Sequence, residues 1–515
     1  MISTQVPPTK EAPAMPLEPG EVPATHFDIA IIGTGFAGLG MAIRLKQEGI
    51  HDFVVLERAG DVGGTWRDNT YPGCQCDIPS HLYSFSFAPN PHWSRAYSRQ
   101  PEIWEYLRGC ARRFGVTPHI RFNHALEMAT WEEADEQWRI ETTGGTFTAR
   151  VLISGMGALS EPSIPPVAGL DKFKGTWFHS ATWNHEHELK GKKVAVVGTG
   201  ASAIQFVPRI QPEVGQLYLY QRTPAWVMPH RDKRLEPWKH RLYNLFPAAQ
   251  RAVRAAIYWG NEARVPFFTR EKLSSVPTRL ALKHLESQVS DPALRAKLTP
   301  TYAAGCKRIL ISNRYYPALQ RPNVEVVTDG IKEVREHSIV STDGVEREVD
   351  TIIFGTGFRV TDSPFAERIR GREGLLSEVF ESSPMAHRGT TVAGFPNAFI
   401  LLGPNTGLGH NSVVVMIEAQ VRYILECLAF MKRATASVVE PRQEVQLRYN
   451  ERIQEDLKDT VWNAGGCASW YLDATGKNTT IWPTYTWKFI REMRQFNPAE
   501  YLVHRAKGAP RGVAA

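Results

Sequence analysis

Gly33, Gly35 and Gly38 lie between an apolar run, FDIAII, and a stretch with helical spacing, MAIRLKQEG. Glycines at these intervals let backbone N–H groups approach a pyrophosphate held at a helix N-terminus. A second apolar run, FVVL, follows and ends at Glu57, 19 residues after Gly38. A carboxylate at that place accepts hydrogen bonds from both hydroxyls of a ribose. Strand, turn, helix and acid together read as a dinucleotide site, with Phe36 inside the turn, and not as a bare glycine-rich bend.

The arrangement recurs in KKVAVVGTGASAIQFVPRI. Gly198, Thr199, Gly200, Ala201 and Ser202 form its turn, Ala203 takes the third glycine's place, and Gln205 lies in the helix behind. The next strand, QLYLY, ends at Gln221, Arg222 and Thr223, where the first unit has its acid. A carboxylate would repel a ribose 2′-phosphate, whereas Arg222 pairs with it and Thr223 hydrogen-bonds to it. The first site therefore suits FAD or NAD, and the second NADPH. A third strand and glycine turn, VDTIIFGTGF (Val349 to Phe358), carries no helix-opening pattern. Its position suggests that the chain returns there to complete the first domain.

An FAD unit interrupted by an NADPH unit raises the question of where the electrons go. Disulfide reductases pass them to a cysteine pair beside the flavin. Cys74-x-Cys76 is the one close pair among six cysteines, and its spacing fits neither a redox motif nor a zinc site. Both are read as structural thiols, and six cysteines are too few for a disulfide framework in 515 residues. Without a dithiol relay, molecular oxygen is the acceptor that the pattern favours.

The elements that must position these groups come from a chain of ordinary globular composition, 43% hydrophobic and 22% charged. Its net charge of +7 comes with no basic run or recognition module, so no nucleic-acid partner is expected. The first 25 residues, rich in proline and glutamate, read as a disordered tail and not as a signal peptide. The most apolar segment, SVVVMIEAQVRYILECLAFM, is broken by Glu418, Arg422 and Glu426. It reads as a buried amphipathic helix, so no membrane partner is expected and the chain is placed in the cytoplasm. The fold class is α/β, with two Rossmann-like dinucleotide-binding domains, the NADP domain inserted in the FAD domain. The expected boundaries are 26–160 and 346–515 for FAD and 161–345 for NADP. About 85 residues, from roughly Pro224 to Lys307, interrupt the second unit with helical apolar spacing. They read as a helical insertion, about 225–306, that caps the active site, its Tyr258, Trp259, Phe267 and Phe268 serving helix packing.

The stretch FKGTWFHSATWN, between the two units, carries Phe173, Gly175, His179 and Trp183. This resembles the FxGxxxHxxxW fingerprint of the type I Baeyer–Villiger monooxygenases, class B flavoprotein enzymes, in which Pro or Asp follows. Asn184 stands there instead. The related N- and S-oxygenating enzymes carry Tyr or Phe in place of Trp183. GGTWRDNTYPGCQCD, CKRILISNRYYP, CASWYLDATGKN and LLGPNTGLGHNSVVVMIEAQ resemble further family segments in family order, from about Phe27 to Trp487.

The resemblance implies that Thr65, Trp66 and Tyr83 contact FAD and that Asp77 reaches the active site. It implies that Trp470 lies near the nicotinamide end, and that the loop ending at Val413 closes over the flavin. Lys307 joins Arg222 and Thr223 on the 2′-phosphate. By the same resemblance Arg308 is expected to be the fixed cation that stabilises a C4a-peroxyflavin anion and its ketone adduct, with Asp77 as its partner. His179 is expected to set the placement of the two domains, with direct catalysis as the lesser role, while Phe173 and Trp183 anchor it. The implied activity is conversion of a small-molecule ketone to an ester or lactone with NADPH and O2, by a monomer or weak homodimer. Sulfide or amine oxygenation, uncoupled NADPH oxidation and a non-catalytic redox sensor are the alternatives. Nothing in the residue pattern identifies the ketone.

Overall fold

A computed structural model describes residues 24–360, 365–381 and 383–505. The tail call falls on residues 1–23, outside this range, and Thr25 already opens the first strand. Two sheets carry the fold. In the first, Thr25–Ile32 runs parallel to Phe53–Leu56 on one side and to Gly145–Ser154 on the other. Ile32 stands level with Leu56 and with Ser154, so the strands end at one edge, where the glycine turn begins. Ile29 and Ile31 pack into one core, Ala30 and Ile32 into another. A strand buried on both faces must be apolar throughout, as these are.

The second sheet is all parallel, in the order Val324–Val327, Gln216–Tyr220, Lys193–Val197, Thr351–Phe354, Thr176–His179. This corrects the reading of VDTIIFGTGF. Its strand does not return to the first domain but lies inside the second sheet, between Lys193–Val197 and Thr176–His179. Chain from residue 346 to Phe354 therefore belongs with the second unit. Among the described residues the first sheet is rejoined by Ile369–Arg370 and Ala398–Ile400.

The two glycine turns are locked in the same way. A Cβ on Gly38 would lie 1.9 Å from the Gly33 carbonyl oxygen, and one on Gly155 would lie 2.7 Å from the Gly38 nitrogen. In the second unit a Cβ on Gly198, at φ +110°, would lie 2.5 Å from the Gly355 oxygen, and Gly355 sits against Ala203. Gly355 thus does for the second helix what Gly155 does for the first. Beyond these glycines the two crossover segments run side by side. Ser163 N donates to Gly357 O (2.9 Å), and Pro162 and Phe358 form a bridge.

His179, at the end of its strand, packs edge-on to Phe358 in this crossover, with ring centroids 5.8 Å apart. Its Nδ1 accepts from Ala181 N, and Trp183 packs against Phe178 and Phe206. Phe173 packs into the far core of the same sheet. Asn184 Oδ1 accepts from Glu186 N, which an aspartate would also do.

Helices Pro237–Leu245, Pro247–Glu262, Glu271–Gln288 and Pro292–Leu298 form the insertion. The short parallel pair Val227–Met228 and Leu310–Ile311 closes it at the base. Phe268 is buried and stacks on Trp462, whereas Trp259 is exposed, against the expectation that both serve packing. Gln250 reaches the buried His81 and the Asn90 carbonyl, tying the insertion to the first domain. A disulfide joins Cys306 to Cys467, and the remaining four cysteines are buried thiols.

Burial holds His81 and His179 neutral, each pushed down from 6.5 to about 4. The unfolded chain takes up a proton at each below about 6.5, and the folded chain does so only near 4. These two groups therefore make stability fall as the pH drops through that window. His179→Gln should show a shallower loss of melting temperature between those limits, by about one proton's worth of slope. An identical slope in that variant would mean that His179 is already charged in the fold.

Candidate active site

Arg308 and Asp77, 231 residues apart in sequence, form a two-pronged ion pair. Nε donates to Oδ2 at 2.6 Å and Nη2 to Oδ1 at 2.8 Å. Both side chains are half-buried. Burial opposes the charge on Asp77, and Arg308 overcomes it and holds the carboxyl below its usual range. Arg308 is raised in turn, first by the Asp77 charge. The remaining prong, Nη1, lies 3.4 Å from the Leu408 carbonyl, in the loop before the helix Val413–Ala434. The buried Tyr471 is close enough for its hydroxyl to feel the Arg308 charge, and the sequence offered no sign of it.

Three tethers hold this junction. Gln205, read from the sequence as a cofactor contact, is turned to the first domain. Its Oε1 accepts from Gln75 N (3.0 Å) and Tyr71 Oη (3.2 Å), and its Nε2 donates to Gln75 O (3.0 Å). Gln75 is two residues from Asp77, so Gln205 fixes the loop, with its carboxamide oxygen and one of its two N–H donors engaged there. Glu262, at the end of its insertion helix, accepts from Asn411 Nδ2 (2.7 Å) and Thr486 N (3.0 Å), fixing the loop from Leu408 to Ser412. Burial opposes its charge, and the His410, Thr486 and Asn411 donors hold its pKa down nevertheless. The Cys306–Cys467 bond lies one residue before Lys307 and three before Trp470.

Lys307 stands between the two units. Burial first, and then the nearby Arg222 charge, lowers its pKa. Two cations close enough to repel each other, one half-buried and one exposed, describe a place for a phosphate dianion. Thr199 Oγ1 donates to Thr223 O (2.9 Å) and so braces the turn that carries Arg222. Gly198, Gly200, Ala201 and Ser202 lead directly into the helix Ala203–Ile210.

At the first turn, Gly35 precedes the helix Phe36–Gln47, whose leading N–H groups face the glycine edge of the sheet. Phe36 itself is buried among Tyr83, Phe85 and Tyr106, so its ring is packing and only its backbone is available to a pyrophosphate. Glu57 is buried and its carboxylate already accepts four bonds. Thr34 N and Oγ1 donate to Oε2, while Ala59 N and Arg67 Nη1 donate to Oε1. A ribose must take the place of one of these donors. Thr34 and Arg67 lie inside the quoted motifs and were passed over, because motif spacing does not say where side chains turn. Trp66 Nε1 donates to Tyr83 Oη at 3.0 Å, and Thr65 Oγ1 to Leu159 O at 3.5 Å. Trp470 is largely exposed, edge-on to Tyr471. None of the interactions around Arg308 involves His179 among the described residues.

Among the described residues no group of His, Cys, Asp and Glu is placed to hold a metal ion. None of their helices is long and apolar enough to cross a membrane. Residues 30–251 match the pyridine nucleotide-disulphide oxidoreductase family. A Baeyer–Villiger monooxygenase of Streptomyces coelicolor is 51% identical over 495 residues, 95% of this chain and 95% of that protein. Cyclohexanone monooxygenase from Rhodococcus sp. Phi1, solved with NADP+, superposes with a TM-score of 0.83 at 27% identity. That match covers 94% of this chain and all of the other. The OTEMO complex with FAD and NADP gives 0.85 at 27% identity over 93% of this chain and all of the other. Half of the residues are shared with the Streptomyces enzyme over nearly the full length of both, and the chain belongs to the Baeyer–Villiger monooxygenases.

Proposed function

We propose that the first nucleotide unit holds FAD, the second holds NADPH, and Arg308 is the cation at which a ketone is oxygenated to an ester or lactone. The chain is an FAD-dependent oxidoreductase that uses NADPH and O2 in Baeyer–Villiger oxidation. The residues present fit both groups. A Cβ on Gly35 or Gly200 would meet protein atoms only at about 4 Å, so the space beside each turn is open to a pyrophosphate, and the Lys307–Arg222 pair is relieved by a phosphate. Bound FAD accepts hydride from NADPH and activates oxygen.

The observation that carries the reading is the Arg308–Asp77 pair. Addition of an oxygen nucleophile to the carbonyl carbon, the step before an alkyl group migrates, puts negative charge on the carbonyl oxygen. A guanidinium keeps its proton throughout and offers several donors to that charge. Asp77 takes Nε and Nη2 and so fixes the plane of the guanidinium, while Nη1 makes only a long contact and is the arm left for substrate. Half-burial makes that charge count for more than it would in water, and orientation in advance avoids reorganising during the reaction. Cytoplasmic residence and action as a monomer or weak dimer complete the proposal.

Arg308→Ala should still let NADPH reduce the flavin at an unchanged rate, while ester formation falls roughly 10²–10³-fold. Stopped-flow absorbance and product mass separate the two steps, and undiminished ester yield would remove Arg308 from the chemistry. For the coenzyme, Arg222→Ala or Lys307→Ala should raise KM for NADPH about tenfold or more and leave KM for NADH nearly unchanged. Equal increases for both coenzymes would place the 2′-phosphate elsewhere.

A further inference from the structure

The insertion helix Pro247–Glu262 is amphipathic with its faces reversed. The side turned into the protein is polar. Gln250 is buried on it, and Arg254 Nη1 donates to the carbonyls of His81 (2.8 Å), Leu82 (3.2 Å) and Ser84 (2.9 Å). Further along, the Tyr258 hydroxyl bonds Thr486, and Glu262 grips the loop beside Arg308. The side turned to solvent is Ala248, Ala252, Ala255, Ala256 and Trp259, with Arg251 at its edge. These positions recur at helical spacing, so they form one stripe.

The preceding helix, Pro237–Leu245, adds to the same hairpin. Trp238, Leu245 and the connecting Phe246 are 59%, 74% and 62% exposed, and Trp259 is 58% exposed. Arg241 lies on the face between Trp238 and Leu245. Four large apolar side chains exposed this far on two packed helices are more than scattered surface residues.

Charge identifies what covers them. Residues 231–270 hold nine Arg and Lys against three Asp and Glu, a surplus of six in a chain whose net charge is +7. Arg254 is turned inward, Asp232 is held by Arg95 and Glu262 is buried, which leaves eight cations against Glu236. Aromatic and aliphatic side chains set among arginines suit a bilayer interface, where rings sit at headgroup level and guanidinium groups reach anionic lipid. A symmetric contact with a second copy would press this cationic surface against itself. We propose that the hairpin Pro237–Glu262 docks the enzyme peripherally on anionic lipid surfaces, by its apolar outer face and the arginines around it. No spanning segment is involved: among the described residues no helix is long and apolar enough to cross a membrane.

The test is flotation of the FAD-loaded enzyme with phosphatidylcholine vesicles, with and without about one-third phosphatidylglycerol. Binding to the anionic vesicles alone, weakened by salt, is expected. It should drop roughly tenfold or more in Leu245→Ser/Phe246→Ser/Trp259→Ser and also in Arg241→Gln/Arg251→Gln. Both variants should keep their flavin content and their turnover of a dissolved ketone. Absence of binding to either vesicle, equal binding to both, or undiminished binding by the variants overturns the proposal. So does a wild-type dimer in sedimentation velocity that the triple variant dissociates, since a second copy would then be the cover.

Discussion

The Arg308–Asp77 pair is the interaction on which the site's arrangement depends. A guanidinium withdrawn halfway from water must be paired, and its partner, Asp77, comes from the first nucleotide unit, 231 residues earlier in the chain. The pairing requires the second sheet, the insertion and the C-terminal segment all to be in place. Each tether to it leads to a different part of the chain: Gln205 from the second helix, Glu262 from the insertion, and Cys467 from the C-terminal segment.

Beneath this lies a repeated device. In each nucleotide unit one glycine at the end of a parallel strand packs against the first turn of the nucleotide helix, Gly155 in one and Gly355 in the other. Gly155 lies against the Gly38 backbone, and Gly355 lies against the Ala203 side chain while its carbonyl faces Gly198, so the strands cannot shift without moving the phosphate-binding turns. The crossovers that leave these glycines pair through Ser163 and Gly357, and His179 packs on the same stretch. The histidine of the family fingerprint is therefore a neutral, buried group at the junction of the units, and its rings and backbone contacts explain its surroundings without proton transfer.

Most of the plan was legible in the sequence, because local geometry carries it. The two glycine turns, Glu57, the Arg222 contrast and the helical insertion all follow from spacing and side-chain chemistry within about 30 residues. What was not legible depends on long-range partners. The third strand was expected to return to the first domain, but Thr351–Phe354 flanks Lys193–Val197 as Gly145–Ser154 flanks Thr25–Ile32, a placement that matches the likeness of TIIFGTG to VLISGMG. Gln205 sat in a motif position yet turned towards the neighbouring domain. The Cys306–Cys467 bond joins positions 161 residues apart, which no spacing rule detects. The helix Pro247–Glu262 shows that apolar periodicity gives a face but not its direction. Here buried Arg254 and Glu262 find partners in the loops of the first domain, and that pulled the polar side inwards.

The central claim is that Arg308 and Asp77 act as one unit on the developing charge. It is tested most directly by a double-mutant cycle on kcat/KM for ester formation, using Arg308→Lys, Asp77→Asn and the pair together. The account predicts strong coupling, with the double variant hardly slower than the worse single one, because each change alone already spoils the placement of the cation. Losses that simply add would show that the two residues work separately and that the ion pair is only structural.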